Sequence, residues 1–169
     1  MADMMRALNP TAAITNAAEA KAAARASAIA IFLGVIWGAV GLAWMMGPGA
    51  DVIEAAISEA AAASPEAAGM TGMMSGMAVG FAGFIIVCQL ILGLVQWFKP
   101  NIVIPILFTV LVVYGLGTGL WGLMMANQMD LGAASGPAWQ IYGGFAVMVV
   151  ELILHIAGIR GASAMNKFR

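Results

Sequence analysis

Ser27–Gly47, reading SAIAIFLGVIWGAVGLAWMMG, is the stretch on which the fold turns, because it carries no charge over its whole length. A hydrocarbon layer about 30 Å thick is crossed by about 20 helical residues rising about 1.5 Å each. The run has that length. Lys21 and Arg25 precede it, and Gly47-Pro48-Gly49 stops it, since proline has no N–H to extend the helix and glycine favours its end.

Three further runs of the same kind follow, at about 70–98, 102–126 and 137–159. The second stops at Lys99-Pro100, and its helix starts ahead of the membrane, where Ser64-Pro65-Glu66 supplies an N-cap residue, a first-turn proline and a first-turn acid. Ser135-Gly136-Pro137 opens the fourth in the same way. The spacing therefore predicts an all-α integral membrane protein of four transmembrane helices. Residues 1–26 form a helical N-terminal segment, 27–159 the transmembrane domain and 160–169 a basic tail.

Composition agrees with this. Of the 169 residues 63% are hydrophobic and 9% charged, and the mean hydropathy is +0.97. An average soluble domain carries roughly a quarter charged residues, so water cannot solvate this chain. Seven Lys+Arg against eight Asp+Glu leave no basic surface for a nucleic-acid backbone. One Cys and one His exclude a disulfide framework and a metal site built from several such ligands in one chain. Neither cofactor nor metal is expected.

Lys and Arg are retained on the cytoplasmic side of short loops, and here the bias is complete. Arg6, Lys21 and Arg25 precede the first span, Lys99 lies between the second and third, and Arg160, Lys167 and Arg169 follow the fourth. Asp51, Glu54, Glu59 and Glu66 lie in the first outer loop and Asp130 in the second. Both termini are expected to be cytoplasmic. The first span serves as its own insertion signal, since no short apolar core with a cleavage site precedes it. Compact loops and an Ala/Gly-rich composition point to a bacterial inner membrane.

Outside the spans, the Ala-rich segment from Thr11 to Ala26 is a good helix former. It reads as a plain lead-in to the first span or as a docking arm, and the former is preferred. From Asp51 to Ala63, Val52, Ile53, Ala56, Ile57 and Ala60 make one stripe opposite Asp51, Glu54, Ser58 and Glu59. This predicts a short amphipathic helix on the outer surface, with Asp51 and Glu54 placed as a capping box.

Short matches recur between the halves. Met45-Met46 and Asp51 correspond to Met124-Met125 and Asp130, Gly80-Phe81-Ala82 to Gly144-Phe145-Ala146, and Gln89-Leu90-Ile91-Leu92 to Glu151-Leu152-Ile153-Leu154. Two readings stay open, a duplicated helical hairpin and chance agreement in a chain drawn from few residue types.

Within the spans, Gly34 and Gly38 form a G-x-x-x-G, Gly72, Gly76 and Gly80 form two in succession, and Gly115, Gly119 and Gly122 line another face. Small residues let lipid-embedded backbones approach closely, either within the bundle or against a partner. Glu151 is the one acid inside a span, with His155 four residues on and so on the same face. An ionised carboxylate facing lipid costs at least a few kcal/mol, so Glu151 needs a proton, a partner or an inward orientation. Gln89, Gln96 and Tyr114 are the other candidates for that buried polar cluster. The cluster is either a proton- or cation-handling site or a hydrogen-bonded pair fixing helix register, and the second is preferred. His155 as a haem ligand would need a second ligand from another subunit or from the fourteen Met. The Met groups read as flexible packing in preference to a Cu(I) route. Cys88 reads as a small buried apolar residue, and Trp44, Trp97 and Trp139 as an aromatic belt.

The four short spans resemble the small multidrug transporters in architecture only. Those carry their working acid in the first span, which is uncharged here, so the resemblance transfers no residue. No nucleophile–base pair, phosphate loop or paired carboxylates stand out, and no enzyme is expected. The reading reached is an accessory or structural membrane subunit whose partners are lipid, other membrane subunits or further copies of itself. The alternative is a small homo-oligomeric transporter or channel working through Glu151 and His155.

Overall fold

The computed structural model describes residues 4–128 and 137–168. Asp130 and the Ser135-Gly136 lead-in lie outside the described residues, as do the surroundings of Gly72 and the side chains of Ile53, Ala56, Ile57 and Ala60. The chain forms α1 (Met4–Leu8), α2 (Ala17–Met46), α3 (Ala50–Ala63), α4 (Pro65–Phe98), α5 (Val103–Gln128) and α6 (Ala138–Met165), with no strand among the described residues. Four of them are long and apolar enough to cross a membrane: α2, α4 from Gly76 onward, α5 to Met125, and α6. This is an all-helical protein of the integral membrane class.

Helix ends follow from local chemistry. Asn16 Oδ1 accepts the Glu19 N–H at 2.9 Å, while Glu19 Oε2 accepts from the Thr15 N–H at 2.7 Å and its hydroxyl at 2.9 Å. This is a capping box displaced by one residue, and it starts α2 ten residues ahead of the first apolar run. The boundary expected at residue 26 thus falls inside a continuous helix. At the other end Gly47 and Gly49 both donate to the Trp44 carbonyl, at 3.2 and 2.8 Å. A Cβ on Gly49 would lie 2.6 Å from the Trp44 ring, so any larger residue there has to displace that ring. The Ala50 N–H then bonds the Gly47 carbonyl at 2.9 Å and α3 begins directly from the turn. Asp51 therefore sits inside the first turn of α3 and not at the N-cap position where the capping-box reading put it.

The chain divides into two compact units, one made of residues 1–34 and 90–169 and the other of 35–89. In the first, the centre is the N-terminal half of α2: Ala20, Ala23, Ala24, Ala26, Ser27, Ala28, Ala30 and Ile31 are all buried. Gly158 and Gly161 of α6 press against it. A Cβ on Gly158 would stand 2.5 Å from Ser27 Cβ, and one on Gly161 would collide with the backbone of Ala23 and Ala24. Leu154 and Ala157 pack with Ala26 and Ala30, and Ile31 packs with Ile104 and Phe108 of α5. On α5, Gly115 meets Met148 Sδ and Gly119 meets the Phe145 ring.

The α4–α5 turn is pinned to the same core. Gln96 is fully buried and donates at 3.1 Å to the carbonyls of Ala24 and Asn101, while Asn101 Oδ1 accepts the Val103 and Ile104 N–H groups at 3.0 Å and caps α5. Arg25 donates Nε–H to the Trp97 carbonyl at 3.1 Å, with its guanidinium 5.1 Å from that ring's centroid. In the second unit the C-terminal part of α2 meets α4 where Gly38 faces Ile86 and Gly83 faces Leu42.

Gly161→Ala forces a methyl into backbone and is expected to lower stability by about 1–3 kcal/mol, read as thermal or denaturant unfolding in detergent. Gly117→Ala, whose Cβ would meet nothing within 4 Å, is expected to be neutral or stabilising by up to about 1 kcal/mol.

Candidate buried polar site

Glu151 and His155 lie one turn apart on α6, both buried. The imidazole's bond is not to Glu151. Its Nδ1 lies 2.8 Å from Ser27 Oγ on α2, and its ring stacks on Phe108 of α5 with centroids 5.6 Å apart and planes inclined by 24°. The Ser27–His155 distance follows from the glycine seam, since Gly158 brings α2 close enough for a short serine side chain to reach the ring one turn back. His155 Nε2 is buried with no partner. If the proton sits on Nδ1 it is donated to Ser27 Oγ, and only an acceptor lone pair stays unpaired. An unpaired buried donor is the costlier arrangement.

The other candidates go elsewhere. Gln89 belongs to the second compact unit and is half-buried. Gln96 serves the α4–α5 turn, and Tyr114 is 70% exposed on the isolated chain. Cys88 is half-buried with a free thiol. Trp97, expected at an interface, is the ring that Arg25 covers. Among the glycines, Gly38, Gly115 and Gly119 make contacts inside their own unit, whereas a Cβ added to Gly76 or Gly80 would meet nothing within 4 Å. Gly34 is half-buried. The sequence reading missed Gly158 and Gly161, whose spacing is three and not four, and Ser27, whose partner lies 128 residues away. The one local signal was the run of alanines facing them.

Chemically, a serine hydroxyl on an imidazole is the pairing used to activate a nucleophile. Here both partners have zero exposure and glycine backbone closes over the serine, so no acyl group can reach the oxygen. No group of three or more His, Cys, Asp or Glu that could hold a metal occurs among the described residues. The arrangement ties α6 to α2 by a buried hydrogen bond that lipid cannot compete for. Comparison with known protein families, curated proteins and solved structures finds no match.

Ser27→Ala leaves the imidazole nitrogen unpaired and is expected to cost about 1–2 kcal/mol, measured as unfolding in detergent. A double-mutant cycle with His155→Phe, in which the two losses fail to add, would separate the bond from simple packing.

Proposed function

We propose that the protein is a non-enzymatic accessory or structural subunit of a larger membrane assembly, set in a bacterial inner membrane with both termini cytoplasmic. The observation that carries this is the surface of α4 in the second unit. Met73, Met77, Gly80, Phe84 and Val87 recur at three- and four-residue steps along one face, and their large side chains are 55–66% exposed on the isolated chain. A Cβ on Gly76 or Gly80 of that helix would meet nothing within 4 Å among the described residues. Open glycines flanked by large flexible apolar groups make a face that a partner helix can approach at backbone distance, which is the main source of packing energy between helices in lipid. The segregation of all seven basic residues supports the orientation. The amphipathic pattern of residues 51–63 supports a placement of α3 on the outer membrane surface, and a repeated hairpin would make α4 and α6 equivalent partners.

The second reading is a homo-oligomeric proton- or cation-coupled transporter. The burial of Glu151 and His155 inside a span favours it, because intramembrane ionisable residues mark ion paths by default.

The two readings separate on different residues. Gly76→Leu is expected to release the protein from co-purifying subunits in gentle detergent while leaving its own unfolding unchanged, and mass analysis of the purified complex checks this. Glu151→Gln keeps hydrogen bonding and removes titration. Under the subunit reading the variant assembles normally. Loss of pH-driven flux in vesicles, with a pure homo-oligomer by mass, would replace that reading with the transporter.

A further inference from the structure

The N-terminal segment folds back over the ends of α2 and α6, in the first compact unit. Asn9 Oδ1 accepts from the Thr11 N–H and hydroxyl at 2.9 and 2.8 Å, and the Ala12 N–H bonds the Asn9 carbonyl at 3.2 Å. This turn aims the next two carbonyls at two guanidiniums: Arg160 donates to Ala12 at 3.1 Å and Arg6 to Ala13 at 3.4 Å. Between the arm and the helices lies a small cleft with a cavity volume of about 40 Å³, lined by Arg6, Asn9, Ile14, Glu19, Ala157 and Arg160 among others.

The polar lining has a sign. Each guanidinium carries five N–H donors and commits one of them to a described carbonyl. Arg6 stands 3.7 Å from Glu19 Oε1, beyond a hydrogen bond, and Glu19 Oε2 is already taken by Thr15. Two forks with spare donors and one partly occupied carboxylate leave the cleft cationic. Ala7, Ile14, Ala23 and Ala157 supply apolar wall, and Arg160 directly follows the fourth apolar run, 137–159, which on the sequence reading sets the cleft where that run leaves the hydrocarbon. Guanidinium forks match phosphate oxygens bidentately, and basic pockets at this depth suit anionic headgroups.

We propose that this cleft binds a phosphate group through Arg6 and Arg160, carried by an anionic phospholipid of the adjoining leaflet. The site stands independently of any role as a subunit.

The test is thermal stability of the purified, delipidated full chain in neutral detergent, titrated with phosphatidylglycerol, with phosphatidylcholine and with inorganic phosphate. Phosphatidylglycerol is expected to raise Tm where phosphatidylcholine does not, and Arg160→Gln is expected to weaken the apparent affinity by about tenfold or more. If Arg160→Gln fails to fold, Arg6→Gln, at a half-exposed position, gives the same readout. Lys21→Gln is the control, an exposed cation in the first turns of α2 that does not line the cleft. Full stabilisation by inorganic phosphate alone would keep the phosphate site and assign it to a soluble source. An equal shift in Arg6→Gln or Arg160→Gln and wild type, or an equal loss in Lys21→Gln, would overturn the site, leaving only diffuse attraction between charges.

Discussion

The contact of α6 on α2 at Gly158 and Gly161 is the interaction on which the rest of the first unit depends. Lipid tails are as apolar as leucine, so sequestering side chains gains little, and helices associate by close packing and by hydrogen bonds that no solvent contests. Both need the backbones near each other. Two glycines against Ala20, Ala23, Ala24 and Ser27 supply that approach, and the other polar contacts are placed by it. Ser27 reaches His155 because the gap is short, and Gln96 finds the Ala24 carbonyl on the same buried stretch. A bulkier residue at the seam would separate the partners before it broke any single bond.

The glycines divide by what they touch, and the division carries the functional reading. Gly93, Gly115, Gly119, Gly158 and Gly161 are filled from within the first unit and Gly38 from within the second. Gly76 and Gly80 are not, although they stand on a helix with a face of methionine and phenylalanine. The buried imidazole has the opposite character, since its Nδ1 is paired with Ser27 and its ring is stacked on Phe108.

Much of the fold is legible in the sequence because membrane thickness imposes a length and the breakers are explicit. Gly47-Pro48-Gly49 and Lys99-Pro100 locate the ends of α2 and α4 and the start of α5 to within a turn. The start of α2 is less legible, because the cap depends on Asn16 and Glu19 within an alanine-rich lead-in whose periodicity is featureless. That lead-in is the most enclosed part of the first unit, since alanine is small enough to let helices close around it, a property that hydropathy does not register. The site is less legible still. Helical spacing pairs Glu151 with His155, but the imidazole bonds across the bundle to a residue 128 positions away, and Gln89 falls in a different compact unit. Local spacing identifies which polar groups share a helix face and leaves open which of them meet.

Everything in the fold presupposes four passages through lipid with the basic segments kept together. The direct measurement is labelling of single cysteines, placed in a Cys88→Ser background at Asp51, Lys99 and Lys167, by a membrane-impermeant maleimide in oriented vesicles. Positions 99 and 167 are expected to react from one face and position 51 from the other. Reaction of 99 together with 51, or of all three from both faces, would contradict the four-span arrangement.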